Sequence, residues 1–62
     1  MYDKFKKLLV ENGITAYRVA KETEIPTSTF SDWKNGRSQP KIEKLQKIAD
    51  YFKVPVTYFL NE

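Results

Sequence analysis

The chain contains no cysteine and no histidine. Disulfide bonds are therefore excluded, and so are the usual zinc clusters, which draw their ligands from those two residue types. No apolar run approaches the ~20 residues a membrane-spanning helix needs, and there is no secretory signal pattern. No alternating β pattern of useful length, no internal repeat and no low-complexity segment is present. Glu22 and Glu24 read as turn residues without a His, Cys or metal-ligand partner. With no catalytic constellation in the chain, neither enzyme activity, a cofactor nor a small-molecule substrate is expected. The composition describes a soluble, cytoplasmic, single-domain protein of 62 residues. So short a chain buries only roughly 60% of its unfolded surface, and a packed helical core has to supply its stability.

Nine aromatic residues (one Trp, four Tyr, four Phe) are available to fill that core. Eleven Lys and Arg against eight Asp and Glu give a net charge of +3 and a pI near 9.3. This balance suits a polyanionic partner, but alone it raises the odds of nucleic-acid binding only about two-fold. Position says more. Lys34, Arg37, Lys41 and Lys44 crowd one short stretch.

Five helices are expected around one core. The first spans Asp3 to Asn12, with Tyr2, Phe5, Leu8 and Leu9 at three- and four-residue steps. Gly13 ends it in the left-handed position after the helix. Thr15 is a good N-cap for a second helix ending near Glu22. Pro26 pushes Ile25 out of the α region and starts a third helix at itself or Thr27, which Asn35-Gly36 closes. Arg37 to Pro40 forms a polar connection. The fourth helix covers Lys41 to Phe52, with Ile42, Leu45, Ile48, Ala49 and Phe52 on one face. Val54-Pro55 breaks the chain, and Val56 to Leu60 forms a short last helix whose Phe59 or Leu60 enters the core.

The stretch Thr15 to Gly36 is the most informative. Ala16, Val19, Ala20, Ile25, Phe30 and Trp33 are its apolar or small residues, and Ala20 suits a close helix crossing. Phe30 and Trp33, spaced i, i+3, share a face that packs back on the preceding helix, which makes Trp33 a core residue and not a stacking platform. The opposite face carries Thr27, Ser28, Ser31 and Asp32. Two short helices joined by a sharp turn form the unit that places a helix in the DNA major groove.

The order of Ile14-Thr15, Val19-Ala20-Lys21, the run Ser28 to Gly36, Leu45 to Ala49 and Val54-Pro55-Val56 resembles the phage-repressor type of helix-turn-helix domain, the lambda repressor and Cro group. The resemblance spans nearly the whole chain. It implies a sequence-specific regulator of phage or bacterial type, a repressor, that binds duplex operator half-sites as a homodimer about one helical turn (~34 Å) apart. It places Thr27, Ser28 and Asp32 at base edges. Relatives grip the phosphate backbone with the loop at the end of the third helix, here Asn35, Arg37 and Lys41, with Lys34 a further cation beside it; Thr15 or Tyr17 supplies the contact that Ala16 cannot make, though Tyr17 fits equally a place over the domain surface. The exposed apolar residues of the last helix, Val56 and Tyr58, are the candidate dimer contact, with core packing as the competing role. At Asp32, a surface ion pair with Lys34 or Arg37 competes with base reading. Two positions depart from the family pattern at the DNA-proximal unit. Glu24 replaces the usual turn glycine, so either it takes positive φ at a cost of about 1 kcal/mol or the turn is remodelled. Ala16 replaces a phosphate-reaching glutamine. Pro26 and Pro55 also stand where relatives carry Ser or Thr caps. The departures at Glu24 and Ala16 favour the alternative of a protein-interaction module, such as an antitoxin component or adaptor.

Overall fold

A computed structural model describes residues 2–60. It contains five helices and, among the described residues, no strand: α1 (Tyr2–Asn12), α2 (Ala16–Thr23), α3 (Thr27–Lys34), α4 (Ile42–Phe52) and α5 (Thr57–Leu60). The all-α architecture is the one the periodicity dictates, and each end lies within a residue of its expected place.

One contiguous core joins all five helices. Phe5 and Leu8 come from α1, Val19 and Ala20 from α2, Ile25 from the turn, Phe30 and Trp33 from α3, Leu45, Ile48 and Ala49 from α4, and Phe59 from α5. Phe5 is at its centre. Its ring stacks on Phe30 at 5.1 Å and on Trp33 at 5.2 Å, and meets Phe52 edge-on at 6.2 Å. Trp33 in turn meets Phe59 at 6.1 Å and Tyr2 at 5.5 Å. Aromatic pairs in these tilted and offset arrangements contribute beyond the area they bury. The two inward residues of α3 are thus fixed by α1 and α5 as well as by α2.

The four longer helices end in the same way. In each, a left-handed residue follows the helix: Gly13 (φ 63°), Glu24 (φ 61°), Gly36 (φ 74°) and Lys53 (φ 59°). The next amide donates back to a carbonyl five residues earlier, at 3.1 Å for Ile14 to Leu9, 3.1 Å for Ile25 to Ala20, 2.8 Å for Arg37 to Asp32 and 3.0 Å for Val54 to Ala49. This is the Schellman closure, which satisfies carbonyls that a helix end would otherwise leave free. Glu24 therefore takes positive φ and the turn is not remodelled. Lys53 does the same, at a site where the sequence gives no warning.

Two expectations about burial need correction, and a third is decided between its alternatives. Ile42 is 54% exposed, because it occupies the first turn of α4, before that helix reaches its neighbours. Of the two candidates in α5, Phe59 is buried and Leu60 is 47% exposed. Val56 precedes α5, and both it and Tyr58 are half-buried against the core and not free apolar residues. Tyr58 leans on Phe59 and carries the Lys4 ammonium over its ring at 5.7 Å. Pro40 is buried and anchors the polar connection between α3 and α4.

Phe5→Ala should cost about 3–5 kcal/mol, as for other buried phenylalanines. The whole domain, at ~0.05–0.15 kcal/mol per residue, has little more to lose. Circular dichroism melts should show the cooperative transition lost or steeply lowered; an unchanged midpoint would show that Phe5 is not the centre of the core. Glu24→Gly and Lys53→Gly should each stabilise by about 0.5–1 kcal/mol, the left-handed penalty outweighing the entropy glycine adds to the unfolded chain. Denaturant titrations decide this, and a destabilised glycine variant at either site would contradict it.

Candidate nucleic-acid interface

The unit formed by α2 and α3 is built around a tight turn. α2 opens on Thr15, whose Oγ1 accepts from the Arg18 amide at 3.2 Å. This is the N-cap expected from the sequence, and it leaves the hydroxyl proton available to an outside acceptor. The helix closes on left-handed Glu24, and Ile25 drops into the core. Pro26, in extended conformation, starts α3 without a side-chain cap. Its carbonyl accepts from Thr29 at 3.0 Å, which begins the helix. Ala20 is buried where the two helices approach, and its methyl side chain leaves room for that approach.

Burial of Phe30 and Trp33 decides what α3 presents outward. Thr27, Ser28 and Ser31 are exposed, and Asp32 is half-exposed beside them. Ser28 and Asp32 are one turn apart, as are Thr27 and Ser31, so the four hydroxyl and carboxylate groups share one continuous surface. The expected base-facing set of Thr27, Ser28 and Asp32 is thus gathered on a single face. Ser31 belongs with them. Its spacing from Thr27 and Ser28 is the signal that includes it.

Cations flank the end of this face. Lys34, Asn35, Arg37 and Lys41 are all exposed. The closure of α3 folds the chain back, so that Arg37 Nη1 comes within 3.6 Å of Asp32 Oδ1. Of the two cations considered for Asp32, Arg37 is the partner. Tyr17, on α2, is 67% exposed and lies free of the core. Ala16 is partly buried, and its side chain is too short to reach outward.

Glu22 is an α2 residue and not part of the turn. Its Oε2 accepts from Arg18 Nε at 2.8 Å and from the Tyr51 hydroxyl at 2.8 Å. The carboxylate thereby ties α2 to α4 across a long sequence gap. The Arg18 hydrogen bond, then that of Tyr51, holds the Glu22 carboxyl below its ordinary range. The Glu22 bond raises the Arg18 guanidinium and, with some burial, the Tyr51 phenol. Among the described residues no cluster of acidic side chains could hold a metal ion, and no helix is long and apolar enough to cross a membrane.

Geometry and sequence agree with a comparison to known families. A family model described as Helix-turn-helix matches residues 5–59. The chain belongs to this family, in its phage-repressor, Cro/C1-type form. It is a DNA-binding helix-turn-helix domain of the kind that regulates transcription. No curated protein and no solved structure matches it.

The Glu22 hub has a defined pH signature. Its folded value lies below the ordinary 4.5, so its contribution is complete above pH 4.5 and is lost as pH falls through the lower folded value. Tyr51 is raised above 10.0, so its contribution holds below pH 10.0 and is lost as pH rises through the raised value. Glu22→Gln should flatten the acid side of a plot of melting midpoint against pH, and Tyr51→Phe the alkaline side. An acid limb unchanged by Glu22→Gln would contradict the hub.

Proposed function

We propose that this domain is a repressor that binds a duplex operator as a two-fold dimer, each copy laying α3 in the major groove of one half-site. The polar face of α3 carries the reading: its hydroxyls and carboxylate are exposed together because Phe30 and Trp33 are locked inside. Thr27, Ser28 and Asp32 face base edges in this arrangement. The hydroxyls donate or accept, the Thr27 methyl suits a thymine methyl, and the carboxylate suits the cytosine amino group. Lys34, Asn35 and Lys41, with Thr15 and Tyr17 at the start of α2, hold the phosphate backbone. Arg37 stands between the two groups, a rim cation drawn to a base-facing carboxylate.

A single helix contacts too few base pairs for strong specificity, and pairing on half-sites ~34 Å apart supplies the rest. Cα extents of 23 × 22 × 19 Å allow one copy on each half-site. Val56 and Tyr58 are the dimer contact in this reading, through the edges that core packing leaves free, next to exposed Leu60. So short a helix offers less than the ~1,200 Å² of a stable interface, so the dimer forms on DNA. Repression follows from occupying the operator and excluding polymerase, with no cofactor. Glu24 holds the turn in left-handed geometry, so this departure from the family pattern does not remodel the turn.

Selection from a random duplex pool, followed by salt titration, tests the reading. Ser28→Ala should change which base is preferred and leave the salt slope nearly constant. Lys41→Ala should weaken binding to all sequences alike and reduce the log K against log salt slope by about one. If neither variant has its effect, α3 and its rim are not the DNA surface.

A further inference from the structure

The end of α3 differs from the other three Schellman closures. In those, the residue after the left-handed position and the helix residue five before it are both apolar and belong to or line the core: Ile14 with Leu9, Ile25 with Ala20, Val54 with Ala49. An apolar contact at that place commonly accompanies the motif. At α3 the same two places hold Arg37 and Asp32. Their backbones are joined at 2.8 Å and their side chains at 3.6 Å, with 73% and 40% of those side chains exposed. The backbone closure therefore delivers a guanidinium to a carboxylate that shares a face with Ser28, one turn earlier. An exposed pair of this kind contributes little to folding, so turning it toward a ligand costs little.

We propose that Asp32 and Arg37 act together to read one G·C pair in the major groove. The proposal rests on α3 being the helix that enters the groove. The major-groove edge of a G·C pair sets the cytosine N4 donor beside the guanine O6 acceptor, with guanine N7 as a second acceptor. N4 and O6 are hydrogen-bonded to each other, which puts them about 2.9 Å apart. The Asp32 oxygen and the Arg37 nitrogen form an acceptor and a donor 3.6 Å apart, in a complementary order at similar spacing. In this match Nη1 meets O6, and the second terminal nitrogen of the guanidinium fork reaches N7. Thymine in the place of cytosine would set its O4 against the carboxylate, acceptor to acceptor. Adenine there would satisfy the carboxylate, but its thymine partner offers a methyl group where guanine has N7, and the second guanidinium bond is lost. Arg37 thereby becomes a specificity residue, and its charge, shared with Asp32, adds little to phosphate binding.

The test compares the unaltered domain with Asp32→Ala, Arg37→Ala, Arg37→Lys and the double Asp32→Ala/Arg37→Ala variant on a randomised duplex pool, with salt titrations on the best site and on that site changed at single positions. All four variants change only Asp32 and Arg37, which lie at the surface, and melting midpoints close to that of the unaltered domain verify that they fold. The unaltered domain should prefer G·C at one position by about tenfold or more. Both single alanine variants should relax that same position. The double variant should lose no more discrimination than Arg37→Ala alone, and Arg37→Lys, lacking the planar fork, should fail to restore it. The salt slope should stay near its original value throughout. If Arg37→Ala instead weakens every sequence alike, with the slope smaller by about one and all base preferences kept, Arg37 is a phosphate clamp; the proposal then fails while α3 stands as the reading helix. Relaxation at different positions by the two single variants also overturns it. Failure of the unaltered domain to bind any duplex at low salt removes the groove-reading role of α3 and this proposal together.

Discussion

Phe5 stacks on the rings of both Phe30 and Trp33, and the rest of the domain depends on those contacts. They fix the rotation of α3 about its own axis. Eight residues make only about two turns of helix, too few to persist alone in water. Both the existence of α3 and the choice of its outward face are therefore tertiary effects, imposed by a side chain from α1. Once two of its residues are locked inward, the hydroxyls and the carboxylate have nowhere to go but solvent. The proposed DNA-reading surface is the complement of a core.

The helix ends set the second constraint. In each of the four longer helices one left-handed residue turns the chain and one long-range amide bond seals the end. Three of these seals send an apolar side chain into the core and one sends an arginine over the surface. The same backbone device thus builds the interior at three places and furnishes the exterior at the fourth. The Glu22 carboxylate adds a polar tie between α2 and α4, holding the helix-turn-helix to the scaffold from its solvent side.

Much of this was legible from residue patterns because the signals are local. Gly13, Gly36, Thr15 and Pro26 mark helix ends by their own chemistry, and the spacing of Phe30 and Trp33 points to the face they share. Glu24 was suspect only against a family pattern, and Lys53 not at all, since an ordinary lysine betrays nothing about its φ. Ile42 fits the apolar periodicity of α4, yet periodicity cannot tell whether a first turn has a neighbour to cover it. Val56 and Tyr58 looked free because a short terminal helix gives no pattern from which to judge its packing. The partnership of Glu22 with Tyr51 and the burial of Pro40 depend on residues far apart in the chain, which no local window contains. The outward set on α3 was readable as a set. The pairing of Asp32 with Arg37 depended on how the chain folds back after Gly36.

The burial of Trp33 has an experimental consequence of its own. It is the only tryptophan in the chain. It sits on α3, the helix proposed to face DNA, while its indole is enclosed by Tyr2, Phe5 and Phe59. The domain therefore carries an intrinsic optical reporter of whether α3 is seated, shielded from the groove that α3 would occupy. Its emission reports docking of the helix on the core, so the seating of α3 can be followed without a label.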